Sequence, residues 1–273
     1  MAKVGTVRKE VGCRAGMRAL GVYMRQSGLL ALSLVALMLG ATRGNASSGA
    51  NGEREATQEP AFVVVIDAGS SGSRVHVFQL QWNVELGKTP SLPEVKLPAH
   101  KLKIEPGLST YAHRPRDAGA SILPLIDFAE RHVPQAVWAQ TPLLVVATAG
   151  LRLLPTRASA AILHSCEHAL RQRASFPVRS SDLFVLGGAD EGAYGWLAVN
   201  FLAQRLRGMP DAALGTLGAV EVGGASSQVA FEPTTPFSPG TNATVTLRVG
   251  GAAYRVLSRS FLGMGQDEMR RAL

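Results

Sequence analysis

Apolar and polar positions alternate with two different periods along this chain. Phe62 to Ile66 is a continuous apolar run, and 74–80 alternates, so two strands (62–67 and 74–80) joined by a turn are expected. Residues 81–98 hold three prolines and read as a loop, and 100–108 reads as a third strand and turn. Helical spacing follows over Asp117–Arg131, then a strand at 143–148, a helix at 156–173, a strand at 183–187 and a helix at 191–206. Residues 218–231 and 244–262 return to strand patterning. The segment 44–60 is small and polar, and no short-period repeat or low-complexity tract interrupts the series.

The first turn raises a chemical question. Asp67-Ala-Gly-Ser-Ser-Gly-Ser73 puts a carboxylate at the end of a buried strand, then removes nearly all side-chain bulk. One reading is an ordinary glycine-rich hairpin turn, with Asp67 as a turn residue. The other is an anion cradle: Gly69 and Gly72 keep close approach open, and successive N–H groups with the hydroxyls of Ser70, Ser71 and Ser73 offer donors. No lysine follows the glycines and no helix opens after them, so this is not a Walker loop.

The same plan returns at Glu221-Val-Gly-Gly-Ala-Ser-Ser227, 154 positions later. An acid ends an apolar strand, then come an apolar residue, a glycine and tiny residues, then a second strand. The duplication points to two similar lobes that each offer a turn to one cleft. Between them, Pro142–Pro155 runs from an apolar strand into Ala147-Thr-Ala-Gly-Leu-Arg152, and Asp182–Leu206 runs through Gly187-Gly188 and the pair Asp190-Glu191 into an apolar helix.

These four stretches, in this order and spacing, resemble the first four signature regions of the apyrase, or nucleoside triphosphate diphosphohydrolase, family, over about Phe62–Leu273. The resemblance implies an α/β fold of the actin-like (ribonuclease H-like) two-lobe type. On it, 1–46 is a targeting segment, 47–60 a linker, 61–210 a nearly complete first lobe and 211–273 the start of a second lobe. A fifth signature region has no counterpart. The implied reaction is hydrolysis of the terminal phosphate of nucleoside tri- or diphosphates by in-line attack of water, assisted by Mg²⁺ or Ca²⁺. Glu191 matches the general base, Ser226 and Gln228 the holders of the attacking water, and Thr148 a residue lining the cleft beside it. Gly69, Ser70, Ser71 and Gly72, with Gly223, Gly224, Ala225, Ser226 and Ser227, match the phosphate-binding turns. Asp67 and Glu221 would hold the cation through bound waters, which Mg²⁺ retains readily. Glu221 departs from the family's usual Asp, which puts cation preference in question. Arg74 and Arg152 follow their motifs, as structural partners or as substrate contacts. Asp190 and Glu191 also suit the positive end of a helix. The rival readings are a nucleotide-binding remnant of low activity, and a sugar kinase or chaperone-type ATPase of the same fold.

Charge and composition then change one thing, the compartment. The chain of 273 residues carries a net +8, of which +6 lies in residues 1–43, so the basicity marks a targeting segment and not a nucleic-acid surface. The apolar run Gly28–Ala41 has fourteen residues, short for a span of about 20, which suits a signal-peptide core while leaving an uncleaved anchor or an incidental run open. Sequons at Asn45 and Asn242 fit a secretory route, with the protein secreted or membrane-anchored at the Golgi or cell surface. Cys166 is the lone cysteine after the targeting segment and reads as a buried hydrophobe. His164-Ser-Cys-Glu-His168 matches an inverted zinc-protease pattern, without an obvious third ligand. Tyr194, Trp196 and Phe201 read as core rather than as a base-stacking platform.

Overall fold

A computed structural model describes residues 61–81, 93–234 and 244–273. The apolar run at 28–41, the linker and both sequon asparagines lie outside these residues. Among the described residues no helix is long and apolar enough to cross a membrane.

The first sheet has the order β3-β2-β1-β4-β5, from β1 (Phe62–Ala68), β2 (Ser73–Gln81), β3 (Glu94–Ile104), β4 (Leu143–Ala147) and β5 (Leu183–Val185). The β1–β2 and β2–β3 pairs are antiparallel, and β1–β4 and β4–β5 are parallel. This is the strand order of an actin-like lobe. The strands bury both faces, which is why β1 and β4 read as unbroken apolar runs. One face (Val64, Ile66, Val75, Val145) packs on α1 (Ala118–His132) and α3 (Thr156–Arg173). The buried positions of α1, Ala118, Ile122, Leu125, Ile126 and Ala129, form one helical stripe.

The other face (Val63, Val65, Phe78, Leu144) packs on α4 (Gly188–Leu202). A second sheet, β6-β7-β9-β8, covers the far side of that helix; its strands are β6 (Ala219–Val222), β7 (Ser226–Phe231), β8 (Thr244–Val249) and β9 (Ala252–Leu262). Helix α4 is therefore enclosed between two sheets, and Glu191 to Phe201 are buried almost without a break. Trp196 at its centre is fully buried beside Tyr254 of β9, with ring centroids 5.5 Å apart. This is the core role expected for Trp196 and Phe201.

Two elements depart from the bounds read from sequence, β3 at its start and α4 at both ends (Gly188–Leu202 against 191–206). The loop expected over 81–98 ends sooner, because β3 starts at Glu94; Pro98 is tolerated since β3 is an edge strand whose register with β2 shifts between Val77 and Gln79. Helix α4 starts at Gly188, not 191, so Asp190 and Glu191 occupy its first turn. The short helices α2 (Ala149–Arg152) and α5 (Gln266–Ala272) have too few residues for a visible period.

Candidate active site

The two turns superpose in their bonding as well as in their spelling. Gly69 N–H donates to Gly72 C=O at 3.1 Å, and Gly223 N–H donates to Ser226 C=O at 2.9 Å. Asp67 pairs across its hairpin with Arg74, and Glu221 with Gln228. The middle residues of each turn, Ser70 and Ser71 in one and Gly224 and Ala225 in the other, give their N–H groups to no backbone carbonyl among the described residues. Both turns, with Asp67, Arg74, Thr148, Ala149, Glu191, Glu221 and Ser226, line one cavity of about 90 Å³. That is about three water volumes. A larger cleft of about 650 Å³ shares Ser70, Ser71 and Ala225 with it and is also lined by Gly107, Ser109, Thr110, Leu153 and Asp267.

Glu191 reaches this cavity from the first turn of α4 and is 5% exposed. Its Oε2 accepts from Arg152 at 2.6 Å and from Gln228 Nε2 at 3.1 Å. Arg152 also donates to Leu186 C=O at 2.8 Å and to Ser226 Oγ at 3.2 Å. Gln228 Nε2 further approaches Ser226 Oγ and Ser260 Oγ. Burial raises the Glu191 pKa, and Arg152 pulls against that rise.

The remaining carboxylates are also under strain from each other. Burial pushes Asp67 up to about 7, against Arg74 and with Glu191. Glu221 is only half-buried as a residue, yet its carboxylate lies against Gly195 of α4. Burial first, then Glu191 and Asp67, push it up to about 8. Three acids thus face one cavity with Arg74 in its wall and Arg152 behind Glu191, an excess of negative charge that a cation would relieve. Among the described residues no three His, Cys, Asp or Glu side chains converge closely enough to ligate a metal directly.

Most residues singled out from sequence meet here, and three do not line the cavity. Ser227 turns its hydroxyl away, donating to Met264 C=O on the opposite side of β7. Gly72 does not line the cavity; a Cβ there would lie 2.5 Å from Ile104 O, so its smallness serves the packing of β3. Gln228 stands behind Ser226 and Glu191 rather than in the cavity wall. Sequence reading left Arg152 undecided and missed Ser260, because a strand serine carries no local signal. His164 and His168 are exposed, and Glu167 between them is engaged by Arg171, so the zinc pattern finds no support. Cys166 is buried and free, its thiol pushed up to about 12 by burial.

Known proteins give the context. Residues 53–273 match the model of the GDA1/CD39 (nucleoside phosphatase) family. The chain is 38% identical to a probable apyrase 6 of Arabidopsis thaliana over 76% of its own length and 36% of that protein. It is 37% identical to a guanosine-diphosphatase of Schizosaccharomyces pombe, over 78% of its length and 37% of the relative. It thus spans well under half of these relatives. A crystal structure of nucleoside triphosphate hydrolases from Neospora caninum shares the fold, with a TM-score of 0.56 at 22% identity, covering 75% of this chain and 45% of that one. With its four ordered motifs, its strand order and these matches, the chain belongs to the GDA1/CD39 nucleoside phosphatase family.

Proposed function

We propose that this chain hydrolyses the terminal phosphate of nucleoside di- or triphosphates by direct attack of water. The observation that carries the reading is the pair of matched turns, whose middle N–H groups meet no backbone carbonyl among the described residues, closing on one cavity beside a buried Glu191. On this reading 61–210 act as one lobe and 211–273 begin a second.

The small cavity suits only the reacting end of a substrate, and the 650 Å³ cleft beside it is in the range of small-molecule sites, so it takes the leaving nucleotide. Ser70, Ser71, Gly224 and Ala225 donate to the phosphoryl oxygens from two sides, which is the positioning that phosphoryl transfer depends on. Glu191 takes the proton of the attacking water. Burial raises its pKa, which makes it a stronger proton acceptor than an exposed glutamate. Ser226 orients that water, Gln228 steadies Ser226 and Glu191 from behind, and Thr148 closes the wall next to it. Asp67 from the first turn and Glu221 from the second would hold Mg²⁺ or Ca²⁺ through its waters. When bound, the ion offsets charge on the phosphate oxygens. The basic and apolar N-terminus supports a secretory-pathway setting for the reaction, with the protein anchored or secreted.

The test is Glu191→Gln. Phosphate release from GDP, ADP and ATP should fall by on the order of 10²–10⁴ while nucleotide binding persists. Near-normal release would move the base elsewhere; transfer of phosphate to an added sugar would favour a kinase.

A further inference from the structure

Each turn is backed by a glycine that no motif assigns. Gly107 stands three residues after the end of β3, and Gly265 three after the end of β9. Each precedes a helical turn, Leu108–Tyr111 in the first case and α5 in the second, and both have extended backbone (φ −67° and −90°). No positive φ demands glycine at either place; space does. A Cβ on Gly107 would lie 2.4 Å from Ser70 O and 2.7 Å from Gly69 O. A Cβ on Gly265 would lie 2.3 Å from the Gly224 carbonyl and 2.4 Å from Ala225 N. Such distances are shorter than any real contact of a side chain, and the atoms they meet are backbone.

Contact with the second turn is also bonded. Gln266 N–H donates to Gly223 C=O at 2.8 Å, and Asp267 N–H to Gly224 C=O at 2.9 Å. A trans peptide carries its C=O and N–H on opposite edges. Holding those two carbonyls at the back therefore turns the N–H groups of Gly224 and Ala225 to the other side, where the cavity lies. In the first turn the carbonyls of Gly69 and Ser70 face Gly107, which turns the N–H groups of Ser70 and Ser71 the same way.

We propose that Gly107 and Gly265 are matched positioning residues: each seats the back of one phosphate-binding turn so that its two N–H groups face the cavity. The proposal rests on the phosphate-binding reading of those turns. Neither glycine lines the small cavity that takes the reacting phosphate, although Gly107 borders the larger cleft beside it. Preorganised donors of this kind need no reorientation when the anion arrives. A carbonyl swung into the cavity would replace attraction with repulsion.

The experiment uses the full chain labelled with ¹⁵N, titrated with GDP in Mg²⁺ and followed by amide resonances. In the unsubstituted chain the amides of Ser70, Ser71, Gly224 and Ala225 should move. Gly265→Ala should abolish the movement of Gly224 and Ala225 and keep that of Ser70 and Ser71; Gly107→Ala should do the reverse. Each should weaken GDP by about tenfold or more, as expected for losing charge-assisted hydrogen bonds. Gly218→Ala, where a Cβ meets only ordinary contacts, should change nothing. A milder variant, Gln266→Pro, removes one donor to the turn at the first helical position, where proline fits; it should reduce the movement of Gly224 with the helix intact. Retention of all four movements in the alanine and proline variants would overturn the positioning role, as would loss of all four in any one variant. No movement in the unsubstituted chain would instead sink the phosphate-binding reading, and the proposal with it.

Discussion

Arg152 is the residue on which most of the site's polar contacts converge. Its guanidinium joins Glu191, the Leu186 carbonyl at the end of β5 and Ser226 in the second turn, a spread that a single ammonium could not cover. It is also the group that holds the Glu191 pKa down against burial. Arg152→Met should therefore raise that pKa further. A base is useful only when unprotonated, so the acid limb of the kcat/KM profile should move to higher pH, and activity at pH 6 should fall more than at pH 8. A profile that drops uniformly, without displacement, would assign Arg152 to substrate binding alone. His76 on β2 offers a second residue-level test. It is buried, its Nε2 has no partner among the described residues, and burial, then Lys101 and Arg74, lower its pKa to about 4. The folded state thus disfavours its protonation, while the unfolded chain binds that proton near 6.5. Its contribution is constant above about pH 7.5 and is lost as pH falls from about 6.5 to about 4, roughly 3 kcal/mol in all. Denaturant titrations at several pH values should show this slope in the natural chain and lose it in His76→Leu.

Among the elements, α4 joins the structural and chemical halves of the molecule. Its first turn carries Glu191 and its middle fills the space between the sheets with Trp196. Trp196→Ala should cost about 3–5 kcal/mol, since neither sheet can collapse fully into the void. Equilibrium unfolding in urea would measure it, and a loss under 1 kcal/mol would mean that the helix is not the shared core described above. Much of this element was legible beforehand. The Gly-Gly, acid pair and apolar run of 187–206 announced a helix with a chemical first turn, and the continuous run of β1 announced a strand covered on both faces. What could not be read was which face meets which. The start of α4 at Gly188 rests on backbone geometry that helix propensity disfavours. Likewise Gly107 and Gly265 are meaningful only once their neighbours in space are known, because glycine after a strand most often marks a simple turn. Ser227 shows the opposite limit: it sits within a motif, yet strand alternation points it away from the cavity.

For the molecule as a whole, alternation in the second sheet puts Glu221, Ser226, Gln228, Ser258 and Ser260 on the α4 side. It puts Val220, Val222, Ser227, Phe231, Arg259 and Phe261 on the other. That outer side is open: Val220 is 65% exposed, and Val222, Phe231 and Phe261 are also exposed, next to the edge strand β6. Contiguous apolar surface beside an edge strand promotes self-association. Val222 and Phe261 lie in one row across the sheet through Ser227, so Val222→Lys with Phe261→Lys should raise the concentration at which the chain associates. Sedimentation velocity would report this, and an unchanged profile would clear the face of that role. The enclosure of α4 has a last consequence. Glu191 receives Arg152 from beside the first sheet and Gln228 from the second, so its carboxylate is a lock with two keys. On the proposed role of Glu191, both donors hold the same oxygen, so a molecule gaping between its sheets would lose the Gln228 key and, with it, part of the aim of its proton acceptor.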